Sequence, residues 1–311
     1  MPPNATALAA RTPSRLHSSD QNGISFMPRA DGRTFMSTKL EQALKQQMAN
    51  GLKINYYEDG AGPNLVLLHG MFGDYLDWAP VLEELAEKFH VVAPDLPGFG
   101  LSDKPDVPYS AEFFVDHLHA FFVSIQLTDI TLVGNSFGGQ IAILYALRHP
   151  ETVKQLILVS SGGFREVPET ERAVARTILS EANLRSMPAT MVPFLFAKVF
   201  VRESAEKNSY LAKQTARLQA ADYPEYVRAL VRSIELSMAT NLLEELCKLQ
   251  CPVLILAGGK DAVVPCEQAR EAAGRLPNAE LQIMENSGHM PQLEDSEDFV
   301  RRVVERAFKN L

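Results

Sequence analysis

The chain has few cysteines and no long apolar run, the features of disulfide-stabilised and membrane-spanning proteins. Its 311 residues include only three cysteines, Cys247, Cys251 and Cys266, an odd number without the CxxC spacing of a zinc cluster. The most apolar stretch, residues 191–201, contains Lys198 and is far shorter than the about 20 residues that cross a bilayer. We therefore expect a reducing, cytoplasmic location and no transmembrane helix.

Positive charge is also in short supply. Lys and Arg number 30 against 38 Asp and Glu, which gives a formal net charge of −8. Because nucleic-acid binding depends on neutralising phosphates, this balance argues against a nucleic-acid partner. Hydrophobic residues make up 46% of the chain, enough for a sizeable core, so disorder of the whole chain is excluded.

The amino-terminal segment has a composition of its own, and we expect residues 1–40 to form a disordered leader. Residues 1–35 are rich in Ser, Thr, Pro, Ala and Asn and carry four arginines against two aspartates. Such a segment also resembles a mitochondrial or plastid transit peptide. That alternative would place the protein in an organelle matrix.

From residue 41 onward, short apolar runs alternate with amphipathic segments. Asn50-Gly51 predicts a two-residue hairpin between strands at 45–49 and 52–57. Further strands are expected at 65–68, 90–94, 130–134, 156–160, 253–257 and 281–284, and helices at 78–88, 111–125, 137–148, 266–276 and 297–308. The strand runs lack polar alternation, which is typical of a parallel sheet covered on both faces. We predict a mostly parallel, doubly wound α/β core over residues 41–163 and 247–311.

Residues 164–246 interrupt this alternation, since they show several helical patterns and no strand pattern. We expect a helical cap inserted into the core. Its most apolar piece, residues 191–201, either lines an apolar pocket or belongs to the cap's own core.

A serine lies between two glycines in Gly134-Asn-Ser136-Phe-Gly138, directly after one predicted strand and before a helix. Glycines on both sides let strand and helix pass closely while the turn exposes the serine, so the motif in this setting predicts a nucleophile. A serine hydroxyl needs a general base, and that base needs an orienting acid.

Asp261 and His289 are the candidates for these two partners. Asp261 follows the strand at 253–257, and His289 follows the last strand, so both lie where parallel sheets form their sites. Each alone has a structural explanation, as a turn residue or a surface histidine. Together they follow the chain order Ser, Asp, His, which is the order of α/β-hydrolases.

The loop after the strand at 65–68 reads His69-Gly-Met71-Phe-Gly73. An oxyanion needs prepositioned N–H donors, and we assign these to the amides of Met71 and Phe137. His69 is expected to be structural.

With these motifs in order, residues 45–311 resemble the α/β-hydrolase superfamily. A further motif, Asp95-Leu-Pro-Gly-Phe-Gly-Leu-Ser-Asp103, is similar to a loop that packs beside the site in that family. The resemblance implies a helical cap between the sixth and seventh strands and no metal or organic cofactor. Ser136 distinguishes the chain from haloalkane dehalogenases and epoxide hydrolases, which have an aspartate there.

Two groups within the superfamily are similar around Ser136: esterases with monoacylglycerol lipases, and hydrolases of meta-cleavage products, which break carbon–carbon bonds. The second group usually has a Ser/Gly-Pro-rich stretch after His-Gly and a Trp after the catalytic histidine, where this chain has Met71-Phe72 and Met290. We therefore favour a serine esterase acting on a small-molecule ester with an apolar acyl or aromatic group.

Two alternatives remain open. Carbon–carbon hydrolysis of a dienone would need a cationic or polar group in the cap for the substrate carboxylate, and Arg172, Arg176 and Arg185 are available. A hydrolase-like receptor would keep the fold and use the pocket for binding alone. The sequence does not indicate the oligomeric state.

Overall fold

The first hairpin begins the sheet where the sequence predicts it. The computed structural model describes residues 38–276 and 279–309 and pairs β1 (Leu44–Ala49) antiparallel with β2 (Leu52–Asp59). Asn50 and Gly51 turn the chain with φ of 48° and 80°, the left-handed conformation that a two-residue hairpin requires.

Six further strands complete one eight-stranded sheet. They are β3 (Asn64–Leu68), β4 (His90–Pro94), β5 (Ile130–Asn135), β6 (Val153–Val159), β7 (Val253–Gly258) and β8 (Ala279–Met284). The order across the sheet is β1-β2-β4-β3-β5-β6-β7-β8. All pairs from β4 to β8 are parallel, whereas β1 and β2 join antiparallel at one edge. The predicted mostly parallel, doubly wound fold is confirmed.

Core helices pack on both faces of this sheet, and further helices are inserted between two of its strands. They are α1 (Thr38–Gln42), α2 (Ala79–Ala86), α3 (Ala111–Ser124), α4 (Phe137–Arg148), α5 (Glu169–Ile178), α6 (Glu181–Arg185), α7 (Val192–Leu195), α8 (Ala205–Arg217), α9 (Tyr223–Ala239), α10 (Cys266–Arg275), α11 (Pro291–Glu294) and α12 (Ser296–Phe308). Buried side chains of α3, α4 and α10 pack on one face, and those of α2 and α12 on the other.

Strand β3 shows why both faces are needed. Its side chains alternate between the two cores, with Leu65 and Leu67 on the α2 side and Val66 and Leu68 on the α4 side. All four are fully buried, and burying each such side chain stabilises the fold by about 1.5–3 kcal/mol. The apolar run without polar alternation follows from this two-sided burial.

Helices α5 to α9 lie between β6 and β7, and no residue from 164 to 246 is in a strand. We call residues 164–246 the helical insertion. Its apolar stretch divides between two environments: Val192, Phe196 and Phe200 are buried in a small core of their own with Met290, whereas Phe194 is exposed.

The amino-terminal prediction needs one correction. The sequence predicts a disordered leader up to residue 40, but α1 begins at Thr38 and Leu40 is buried against the core that contains α2. The rest of that leader, and with it the transit-peptide alternative, lies outside the described residues. Within the described ranges no helix is long and apolar enough to cross a membrane; the cytoplasmic location stays a prediction.

Candidate active site

Ser136 stands in the turn between β5 and α4, in a conformation that L-residues rarely adopt. Its φ and ψ are 53° and −113°, so the surrounding packing must hold the strain. The two flanking glycines make this packing possible. A Cβ on Gly134 would lie 2.4 Å from the Gly138 oxygen, and one on Gly138 would lie 2.3 Å from the Leu68 oxygen. The sequence reasoning about these glycines therefore agrees with the observed turn.

Asp261 and His289 are in direct contact. The Nδ1 atom of His289 lies 2.8 Å from Oδ2 of Asp261, and both residues are buried. The other carboxylate oxygen, Oδ1, accepts hydrogen bonds from the N–H groups of Val263 and Val264 at 2.8 and 2.9 Å. These bonds fix the carboxylate, which in turn fixes the plane of the imidazole ring.

One cavity connects these residues. It has a volume of about 960 Å³, and Ser136, His289 and Met71 all line it. A Cβ added to Gly70 would lie 3.3 Å from the Cβ of Ser136, which places the loop after β3 directly beside the serine. The structure therefore brings the predicted nucleophile, the predicted base and the predicted oxyanion loop to the same wall.

The two amides expected to bind an oxyanion have their N–H groups free. Phe137 is the first residue of α4, whose opening N–H groups have no acceptor within the helix. Within the described part of the chain, neither Met71 N–H nor Phe137 N–H has a hydrogen-bond acceptor. Both therefore stay candidates for binding a substrate oxygen.

Comparison with known proteins identifies the family. The family model described as alpha/beta hydrolase fold matches residues 63–296. The protein is an α/β-hydrolase. Among curated relatives, the hydrolase is 30% identical over 268 residues to 2-hydroxymuconate semialdehyde hydrolase of Pseudomonas sp. strain CF600, covering 83% of this chain and 92% of the relative. It is 31% identical over 260 residues to Lipase 1 of Psychrobacter immobilis, covering 79% and 78%.

A solved structure is similar over the same region. A membrane phospholipase A, described as a bacterial virulence factor, superposes with a TM-score of 0.73 and 28% identity, covering 86% of this chain and 87% of that one. The relatives thus include enzymes named for ester cleavage and an enzyme named for a semialdehyde substrate. The described residues contain no group of three or more His, Cys, Asp and Glu that could hold a metal ion.

Two motifs beside the site hold loops in place. His69 is fully buried, and its Nε2 accepts a hydrogen bond from the Leu96 N–H at 3.0 Å. Burial lowers the pKa of His69, which keeps the ring neutral and able to accept. The carboxylate of Asp95 accepts from the N–H groups of Tyr75 and Leu101. The expected structural role of His69 is confirmed.

A buried carboxylate connects the helical insertion to the loop of His289, and the sequence reasoning missed it. Glu294 accepts a hydrogen bond from the Gly288 N–H at 2.6 Å and one from the Val201 N–H at 2.7 Å. The His289 N–H donates to the Val199 oxygen at 3.0 Å. Burial raises the pKa of Glu294. In the sequence, the only sign of this contact is a glutamate five residues after His289. Its partner in the insertion, Val201, is 93 residues away.

A second connection, also missed, joins the insertion to the oxyanion loop. Lys213 on α8 donates to Asp74 at 2.9 Å and to Asp77 at 2.6 Å, and the neighbouring Gln214 donates to the Phe72 oxygen at 3.1 Å. Phe72 has a left-handed φ of 64°. The insertion therefore helps to hold a strained residue next to Met71.

The rest of the cavity wall comes mostly from the insertion and is mainly apolar, with Asn183, Ser186 and Lys198 as polar members. Its side chains include Leu179, Leu184, Met187, Met191, Phe194, Leu195 and Phe196. Arg172, Arg176 and Arg185 are not among the lining residues. They pair instead with Glu169 and Glu181. Among the residues that the structure describes, Lys198 is the one lysine that lines the cavity.

Proposed function

We propose that this hydrolase cleaves carboxylic esters that carry an apolar acyl or aromatic group, with Ser136, His289 and Asp261 as its catalytic triad. The observation that carries the proposal is the 2.8 Å contact between His289 and Asp261 at the wall of the cavity that Ser136 lines. In this arrangement the acid orients the base, and the base can activate the nucleophile.

The proposed reaction has two halves. Ser136 Oγ attacks the ester carbonyl carbon while Nε2 of His289 takes its proton, because Nδ1 is engaged by Asp261. The tetrahedral intermediate collapses, the proton passes to the departing alkoxide, and the alcohol leaves an acyl-serine. Water then attacks the acyl carbon by the same steps and releases the carboxylic acid.

Negative charge develops on the carbonyl oxygen in each tetrahedral intermediate. The free N–H groups of Met71 and Phe137 would donate to this oxygen. Because these donors belong to the backbone, they need no reorganisation during the reaction. In subtilisin, removing an oxyanion donor that belongs to a side chain costs about 10²–10³ in kcat.

The residues that line the cavity favour binding of an ester with an apolar group over binding of a substrate with a carboxylate. Its insertion side is built mainly from leucine, methionine and phenylalanine, which favour an acyl chain or an aromatic ring. Arg172, Arg176 and Arg185, the candidates for binding a dienone carboxylate, pair with glutamates and are not among the residues that line the cavity.

Carbon–carbon hydrolysis of a meta-cleavage-type dienone is the second candidate. Lys198 lines the cavity and supplies one cation for a substrate carboxylate. The similarity to 2-hydroxymuconate semialdehyde hydrolase is a second reason to test this activity.

The test compares the two substrates in parent enzyme and two variants. We expect the parent to release p-nitrophenol from p-nitrophenyl butyrate faster than it bleaches a 2-hydroxy-6-oxo-dienoate of similar size. Ser136→Ala should lower kcat by up to about 10⁶, the loss described for subtilisin. Ser124→Ala, an exposed serine on α3, serves as the control. An unchanged kcat in Ser136→Ala would refute the proposal, and faster bleaching of the dienoate would favour the second candidate.

A further inference from the structure

The loop that presents Met71 forms a tight turn. Its ends are joined by a hydrogen bond from the Gly73 N–H to the Gly70 oxygen at 3.1 Å, so Met71 and Phe72 are its two central residues. Phe72 has a left-handed φ of 64°, a conformation that favours glycine at this position of a turn. The turn therefore needs contacts from outside to keep a phenylalanine in this conformation.

Phe72 receives two such contacts from the helical insertion. Its backbone oxygen accepts a hydrogen bond from the side chain of Gln214 at 3.1 Å, and Gln214 is buried. Its ring packs edge-on against the ring of Phe196, with the two centroids 5.2 Å apart. The insertion thus holds both the main chain and the side chain of Phe72.

The end of the turn is held by a third contact, through Asp77 and Lys213. A Cβ on Gly73 would lie 2.1 Å from Oδ2 of Asp77, so this carboxylate lies directly against the turn. Lys213 donates at 2.6 Å to the other oxygen of Asp77 and at 2.9 Å to Asp74. Asp74 also accepts from the Leu76 N–H at 2.9 Å. One ammonium group therefore fixes both carboxylates that follow the turn.

Lys213 remains a charged donor in this setting. Burial alone would lower the pKa of Lys213, but Asp74 and Asp77 outweigh this effect and raise the pKa above its usual range. Hydrogen bonds from a charged donor to a carboxylate are stronger than those between neutral groups. The contact of α8 with Asp74 and Asp77 therefore resists displacement of the loop.

We propose that Lys213 and Gln214 are positioning residues, which hold the turn so that the Met71 N–H lies within reach of the substrate oxygen. Among the described residues that line the cavity, neither of the two occurs, so they act through Asp77 and the Phe72 oxygen. Misplacing a catalytic group by about 1 Å costs on the order of 10²-fold in rate. The insertion thereby completes the oxyanion site. This inference rests on the proposed function, in which the Met71 N–H donates to the oxyanion.

Gln214→Leu and Lys213→Met test this role in the full-length enzyme, with active sites counted by complete fluorophosphonate labelling. We expect kcat per active site for p-nitrophenyl butyrate to fall about tenfold in Gln214→Leu and about a hundredfold in Lys213→Met, with KM unchanged within about twofold. The matched controls are Gln219→Leu, an exposed glutamine just after α8, and Lys207→Met, whose lysine on α8 pairs with Glu203. Both controls should keep the parent kcat.

A pair of ketone inhibitors gives a readout that a purely structural role would not change. With a trifluoromethyl ketone, Ser136 Oγ adds to the carbonyl carbon, its proton passes to His289, and the carbonyl oxygen becomes an oxyanion. The matching methyl ketone binds without this addition. We expect both variants to weaken inhibition by the trifluoromethyl ketone by about the same factor as kcat, and to leave inhibition by the methyl ketone unchanged.

Gln214→Leu decides the inference even if Lys213→Met does not fold, because it leaves no buried charge without a partner. An unchanged kcat in this variant would overturn the inference. So would equal weakening of both ketones, or the same loss of kcat in the control variants. A parent that hydrolyses no ester would refute the proposed function instead. A preference for the trifluoromethyl ketone that Gln214→Leu removes would still support the positioning role in that case.

Discussion

The sheet core and the helical insertion of this hydrolase differ in how far they bury their apolar residues. Strands β5 and β7 are buried along their whole length, and Ser136, Asp261 and His289 each follow a strand of this core. In the insertion, α5 buries no side chain and Phe194 is largely exposed. The buried core can therefore position the proposed catalytic residues, whereas the insertion determines which substrates reach them.

We expect the largest loss of activity from Asp261→Asn, which changes a residue of the core. If Asp261 orients His289 through their 2.8 Å contact, the variant should favour the wrong tautomer and lower kcat by up to about 10⁴, as the equivalent change does in chymotrypsin. Steady-state ester hydrolysis measures it, with Asp106→Asn as an exposed control. An effect below tenfold would show that another residue orients His289.

Glu294→Gln tests whether the insertion also supports the core. The amide would place an N–H₂ group where one carboxylate oxygen now accepts from Gly288 or Val201. Leaving one buried donor unpaired costs about 1–3 kcal/mol of stability. Because Gly288 precedes His289, we also expect the base to shift and kcat to fall by up to about a hundredfold with little change in KM. Glu305→Gln, an exposed glutamate on α12, is the control. A loss confined to thermal stability would show that Glu294 only joins the two regions.

Asp77→Asn tests the contact between the core and the insertion, because Asp77 accepts a hydrogen bond from Lys213. Burial raises the pKa of Asp77 to about 6, above the ordinary value near 3.9 of an unfolded chain. Between these values the folded state retains the proton that the unfolded state releases, so the contribution of Asp77 to stability falls as pH rises.

The measurement is urea unfolding of both proteins between about pH 4 and 7. The free energy of unfolding of the parent minus that of the D77N variant should fall by up to about 3 kcal/mol over this window. A difference that does not depend on pH would show that Asp77 is already ionised throughout, held by Lys213.

The smallest effect concerns acyl-chain length, which the insertion is expected to control. Leucine, methionine and phenylalanine side chains on its side of the cavity should favour p-nitrophenyl octanoate over acetate by at least about tenfold in kcat/KM, because each buried methylene contributes up to about 0.8 kcal/mol. Equal values for the two esters would mean that the acyl chain does not contact this wall.

Sequence reasoning predicted the parts of the molecule that depend on local pattern. The apolar runs predict β3 to β8, and glycines around Ser136 predict a turn that the backbone adopts. Strand ends were correct to within three residues, with β6 beginning at Val153 instead of residue 156. The pairing of Asp261 with His289 follows from the parallel sheet, because the carboxyl ends of neighbouring strands meet at one edge.

The contacts of the insertion could not be predicted in this way. Lys213 pairs with Asp74 and Asp77, which are more than a hundred residues away in sequence, and no periodicity in α8 indicates a lysine facing the core. The apolar stretch at 191–201 likewise fits a pocket and a core equally well, and the structure uses it for both. Such choices depend on tertiary packing, which local patterns do not encode.

Intact-mass spectrometry after treatment with a fluorophosphonate tests the central claim most directly. An activated serine attacks the phosphorus of this probe as it would attack an ester carbonyl carbon, and fluoride leaves. We expect one adduct on the parent protein, none on Ser136→Ala, and slower labelling of Asp261→Asn. An unlabelled parent, or a Ser136→Ala variant labelled as fast as the parent, would contradict the assignment of Ser136 as the nucleophile.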